Sequence, residues 1–106
     1  MDKHNIFDNL PSDLTLEQFE PLVKTDSVLI ERIVSAAHVT PEGEWYDLAR
    51  NEWVMVMQGA AKLEFESGKV VILNQGEHIN IGAHVKHRVA WTSEQTETIW
   101  LAVHYG

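Results

Sequence analysis

The chain has 106 residues, sixteen acidic against eight basic side chains for a net charge of −8, 44% hydrophobic residues and no cysteine. That length supports one hydrophobic core, so a single domain is expected. The acidic balance repels phosphate backbones and anionic lipid heads, which argues against nucleic acid and membrane surfaces as partners, and the missing cysteines exclude disulfides, thiolate catalysis and thiolate zinc sites.

At the N-terminus, "MDKHNIFDNLPSD" carries charges but no apolar segment of the kind a secretory signal needs, and no window approaches the ~18 consecutive apolar residues of a membrane span. A cytoplasmic protein is the expectation. In "SDLTLEQFEPLV", Thr15 and Gln18 have capping-box spacing, and Leu16, Phe19, Leu22 and Val23 recur at helical intervals. A short helix of about two turns is predicted there, limited by Pro21 and Thr25.

From Val28 the pattern changes to strands. "SVLIERIVSAA" is rich in β-branched residues and ends before the turn-like "TPEGE". "WVMVM" is apolar on both faces, with Glu52 immediately before it. "AKLEFE" alternates strictly, placing Ala61, Leu63 and Phe65 on one face. "SGK" then turns the chain into "VVILN" to make a hairpin. "HINIG", "HRVAW" and "TIWLAVHY" complete at least six strands separated by turn signals, the signature of a β-sandwich or small barrel.

Strand alternation puts Glu52, Val54 and Val56 on one face and Trp53, Met55 and Met57 on the other, and gives His87, Val89 and Trp91 a common face on a later strand. If Glu52 and His87 both point inward, a carboxylate meets an imidazole in an apolar interior. Such a charge must be paired, hydrogen-bonded or bound to a cation. The second apolar face of "WVMVM" needs a cover of its own: another sheet, the N-terminal segment or a second subunit.

Two spacings in this half of the chain resemble the motifs of the cupin fold, a double-stranded antiparallel β-barrel of the jelly-roll type. Glu52 through Gly59 fits the glutamate-to-glycine spacing of the first motif. Gly76, Gly82 in the proline place, His84 in the glycine place and His87 in the ligand-histidine place fit the second. The strings "IERIVS", "WYD", "EWV" and "WLAVHY" are similar to those of a subgroup of small cupins. The resemblance implies an all-β cupin barrel over residues 28–106, preceded by an N-terminal segment, residues 1–27, with the short helix. Both histidines of the first motif are replaced, by Trp45 and Asp47, and the asparagine place of the second holds Trp91.

The resemblance therefore implies a degenerate metal site of Asp47, Glu52 and His87, with His84 and His38 as extra candidates. Two carboxylates and an imidazole with open positions suit a divalent ion, Fe, Mn or Zn. A metal-dependent enzyme on this frame would act on a small polar molecule, with Tyr46 and His84 as the candidate catalytic groups. A metal-free small-molecule binding module with an aromatic-lined cavity is the alternative, and a barrel filled by its own side chains is the third reading. Small cupins are often dimers, so the resemblance also implies a homodimer, with the Trp53 to Met57 or Val28 to Val34 strand at the interface.

Overall fold

A computed structural model describes residues 1–106. Eight antiparallel strands form two facing sheets: β1 (Gln18–Lys24), β2 (Val28–Ser35), β3 (Asn51–Gln58), β4 (Ala60–Phe65), β5 (Val70–Asn74), β6 (His78–Ile81), β7 (His87–Thr92) and β8 (Thr98–Tyr105). The larger sheet runs β1-β2-β8-β3-β6 and the smaller β5-β4-β7. The core lies between them, where Val54 and Val56 of β3, Ala61, Leu63 and Phe65 of β4 and Trp100 of β8 pack together. The alternation expected for "AKLEFE" is the one observed. No helix is long and apolar enough to cross a membrane.

The expected N-terminal helix is absent, and β1 occupies its place. Gln18 aligns with Val34 and Phe19 with Ile33, so this segment pairs with β2 at the edge of the larger sheet. Pairing gives the backbone its hydrogen bonds without a helix, and an edge is where a strand tolerates proline. The register shifts between Pro21 and Val23, a bulge that absorbs the irregularity. The capping box does not form: the Thr15 amide donates to the Asp13 carboxylate at 3.0 Å, and the Gln18 side chain donates to the Leu16 carbonyl at 3.1 Å.

Residues ahead of β1 are fastened by Arg32. Its buried guanidinium donates to the carbonyls of Ile6, Asp8 and Asn9 at 3.0, 2.6 and 3.1 Å and pairs with Glu20 at 2.5 Å. The segment thus covers part of the larger sheet's outer surface. Farther along that surface, Ile30 aligns with Val103, Val103 with Trp53, and Leu101 with Met55, all half-buried.

Trp91 departs from the alternation expected of β7. Lys62 aligns with Trp91 but Leu63 with Val89, which leaves Ala90 as the extra residue of a bulge. One added residue reverses the facing of every side chain beyond it. Trp91 consequently turns outward, 39% exposed, while His87 and Thr92 are buried.

Candidate functional site

The inner face of the larger sheet carries its chemistry at one end. β2 presents Glu31 two residues before Ile33, β3 presents Glu52 before Val54, and β8 presents His104 after Trp100 and Ala102. Each follows from period-two alternation with a core residue. Glu52 and His104 are aligned across β3 and β8. From the smaller sheet, His87 opens β7 opposite Phe65. These four side chains share a cavity of about 180 Å³, with apolar walls that include Val54, Leu63 and Trp100.

Within it the acids and imidazoles touch in sequence. Glu31 Oε1 lies 2.9 Å from His104 Nε2, which lies 3.6 Å from Glu52 Oε2, while Glu52 Oε1 lies 3.4 Å from His87 Nε2. All four side chains are at most 14% exposed. Glu17, from the loop before β1, also lines the cavity and accepts a hydrogen bond from the buried Ser35 hydroxyl. No lysine or arginine lines this space.

His87 is oriented from behind. A carbonyl only accepts, so the 2.8 Å contact between its Nδ1 and the Val85 oxygen places a proton on Nδ1. In the neutral ring Nε2 is then a lone pair facing a carboxylate oxygen, two acceptors that need a proton or a cation between them. Burial by itself lowers the His87 pKa, but the Glu52 carboxylate and the Val85 carbonyl outweigh it, and the pKa lies above the ordinary 6.5.

Tyr46 stacks on His87 with ring centroids 5.7 Å apart, and the two backbones are bridged by Tyr46 N to His87 O at 2.8 Å and His87 N to Tyr46 O at 3.2 Å. Its phenol titrates above the usual 10, chiefly through burial and then through the negative charges of Glu17 and Glu52, so it stays neutral. Tyr46 and Phe19, both partly exposed, line the outer part of the cavity.

The remaining residues singled out from the sequence lie elsewhere. Asp47 and His84 are exposed, bond each other at 2.8 Å and are absent from the cavity lining. Their bond joins the loop before β3 to the loop before β7. His84 has φ +62°, the left-handed backbone for which the motif's glycine is suited. His38 accepts the Ala36 amide at 2.8 Å, outside the cavity. Besides Glu17 in the loop before β1, motif spacing missed two titratable cavity residues on strands, Glu31 and His104. Extending the alternation inward from Ile33 and from Trp100 would have found both.

A family model described as the cupin domain matches residues 40–104. The chain belongs to the cupin family. This cupin is also similar to a candidate mannose-6-phosphate isomerase of Ralstonia eutropha JMP134, with 39% identity, a TM-score of 0.94 and coverage of 99% of this chain and 98% of that one. A cupin superfamily protein of Desulfitobacterium hafniense DCB-2 is 14% identical, with a TM-score of 0.75 over 91% of this chain and 83% of its own. The Fe(II) form of HppE is 18% identical, with a TM-score of 0.71 over 84% of this chain and 50% of its own. The last two likenesses show the fold. No curated protein matches the chain.

The donor set can be tested against the divalent ion that the fold implies. Two buried carboxylates and two imidazoles, one with its Nδ1 proton held by a carbonyl, match in kind what such ions take. Their present contacts are pairwise, and no three of them surround a common point. An ion would therefore take the place of these direct contacts.

Proposed function

We propose that this cupin binds a divalent metal ion in its barrel through Glu52 and His87, assisted by His104 and Glu31, and acts there on a small polar molecule. The observation that carries the reading is the facing of His87 Nε2 and the Glu52 carboxylate, 3.4 Å apart, in a space with three acidic residues and no lysine or arginine. Buried negative charge of this kind calls for a cation. HppE, a protein of the same fold, has Fe(II) and Co(II) forms, which supports the class of ion. A bound ion would polarise a carbonyl or hydroxyl oxygen as a Lewis acid. In this reading Tyr46 is the proton donor, supported by its neutral phenol, its stacking on His87 and its place in the cavity lining. Asp47 and His84 brace the two loops that carry Tyr46 and His87.

A metal-free binding role has one observation in its favour: the raised pKa of His87, which makes an imidazolium the counter-ion of Glu52. Metal analysis of untagged protein, alongside Glu52→Gln and His87→Ala, separates the two. Near-stoichiometric Fe, Mn or Zn in the wild type and its loss in both variants is the expected result. Wild-type protein that stays metal-free after incubation with each ion would overturn the metal reading. The activity named for the Ralstonia relative is a poor match, since a sugar phosphate would bring a charge of about −1.5 to −2 to a wall that is already acidic.

Assembly as a homodimer is part of the proposal. The half-buried apolar row of Ile30, Val103, Trp53, Leu101 and Met55 on the outer surface of the larger sheet supports it, because an apolar sheet face is stable where it is covered.

A further inference from the structure

Glu17 is the one carboxylate of the cavity that the proposed ion does not use. It lies one residue ahead of β1, two before Phe19, and Phe19 is aligned with the inward-facing Ile33, so alternation turns Glu17 to the cavity side that it lines. Its Oε2 accepts the hydroxyl proton of the buried Ser35. Its Oε1 takes no hydrogen bond from the protein and is open to a solvent-sized molecule, since the buried atoms that are both closed off and unpartnered lie in Arg88 and Trp100. The carboxylate also acts on the cavity's rim: the Tyr46 pKa, raised first by burial, is raised further by the charge of Glu17.

The charge of this space does not close on its own. Glu17, Glu31 and Glu52 bring three negative charges and no lysine or arginine lines the cavity, so the imidazoles of His87 and His104 are its only basic groups. The positive side reaches at most two, whether a divalent ion sits among neutral imidazoles or both rings are protonated without it. One negative charge is left over in either state, inside walls that are mostly apolar, where it requires a counter-charge. Glu31 has His104 at 2.9 Å and Glu52 has His87 at 3.4 Å, whereas Glu17 has a hydroxyl alone.

We infer that the cavity takes a small primary amine, its ammonium group held by Glu17 at the mouth and its hydrocarbon body against the apolar walls, and that Glu17 is a specificity-determining residue of the site. The volume, about 180 Å³, holds roughly six to nine non-hydrogen atoms, scaled from the benzene-sized occupant of a ~150 Å³ engineered cavity. Val54, Leu63 and Ile81 are among the walls that receive the hydrocarbon. Phe19 and Tyr46 line the same outer part as Glu17, and aromatic rings attract a cation. Carboxylate and phosphate ligands would add to the surplus negative charge and are disfavoured.

This inference rests on the cavity of the proposed function and names its ligand class, while its charge argument holds with or without the ion. The test titrates three probes of similar size calorimetrically, into the protein as purified and after chelation: benzylamine, benzyl alcohol as its uncharged counterpart, and benzoate. Benzylamine should bind about 10-fold or more tightly than benzyl alcohol in both forms, the worth of one charge-assisted hydrogen bond. Glu17→Gln keeps an acceptor for Ser35, and it should bring benzylamine down to the affinity of benzyl alcohol while leaving the alcohol unchanged. Benzoate should not bind the chelated protein. Benzylamine that fails to bind, binds no better than the alcohol, or keeps its preference in Glu17→Gln overturns the inference, as does benzoate binding the chelated protein as tightly as the amine. Metal analysis of the same samples separates the two readings: metal retained without an amine preference removes this inference alone, and metal absent with a Glu17-dependent preference removes only the metal reading. The comparison of amine with alcohol needs no variant, so misfolding of Glu17→Gln leaves the test intact.

Discussion

Replacing Gly59 by alanine should damage the barrel far more than the same change at Gly76. Both glycines have left-handed backbones, φ +86° and +85°, and both occupy cupin motif positions. The conformational term is therefore alike, about 1–2 kcal/mol for an L-residue forced into that region. The surroundings differ. A Cβ at Gly59 would lie 2.6 Å from Thr98 Oγ1, 3.0 Å from Thr98 Cα and 3.2 Å from the Glu97 carbonyl, whereas one at Gly76 meets nothing within 4 Å. Backbone atoms cannot swing aside, and Thr98 is fully buried at the start of β8. Overpacking of this kind costs about 1–3 kcal/mol more. Gly59→Ala should then lose about 2–5 kcal/mol in denaturant unfolding and about 10–20 °C in melting temperature, and Gly76→Ala about 1–2 kcal/mol and 4–10 °C. Equal losses in the two variants would refute the reasoning, because they would show that the β3–β4 corner has room that its geometry denies.

Other expectations arise from the remaining contacts. Arg32→Lys keeps the charge but cannot reach three carbonyls and a carboxylate at once, so limited proteolysis within residues 1–17 should become several-fold faster, and unchanged cleavage would contradict the clasp. Leu63→Ala, at a 2%-exposed wall of the cavity, should cost about 2–4 kcal/mol in chemical unfolding, and a loss under 1 kcal/mol would mean the wall collapses freely. Tyr46 has a raised pKa in the folded state, so its contribution is fully present below pH 10 and is lost as pH rises through the folded value. Relative to Tyr46→Phe, the wild type should therefore lose stability above pH 10, and ultraviolet titration should show one of the two tyrosines ionising late. Light scattering after size exclusion should give a dimer at tens of micromolar and a monomer for Met55→Lys, while a monomeric wild type would dismiss the outer-surface interface.

What the sequence discloses depends on whether a short-range rule or a long-range pairing decides the outcome. Period-two alternation sorted the side chains of β3 and β4 into faces, but with β3 apolar on both, only the packing of the two sheets shows that Glu52 faces inward, 3.4 Å from His87. The helix expected around Phe19 lost to an edge pairing with β2, which no local propensity reports. Trp91 was misplaced because a bulge leaves no residue signature when the extra residue is a plain alanine. Glu31 and His104 were legible in principle, each two residues from a core side chain, but a charged group inside an apolar strand draws notice only when its neighbours' facing is known. Asp47 stood in a ligand histidine's place by spacing, yet the loop that carries it turns toward His84.

The bulge at Ala90 bears on how much empty space the molecule keeps. In an unbroken β7 ladder the indole of Trp91 would hang between the two sheets, and the largest side chain of the strand would take up interior room. A single supernumerary alanine evicts it. Vacancy in this barrel is thus partly a matter of counting along one wall, so lengthening or shortening that wall by a residue is a way to tune the size of guest it admits without repainting its lining.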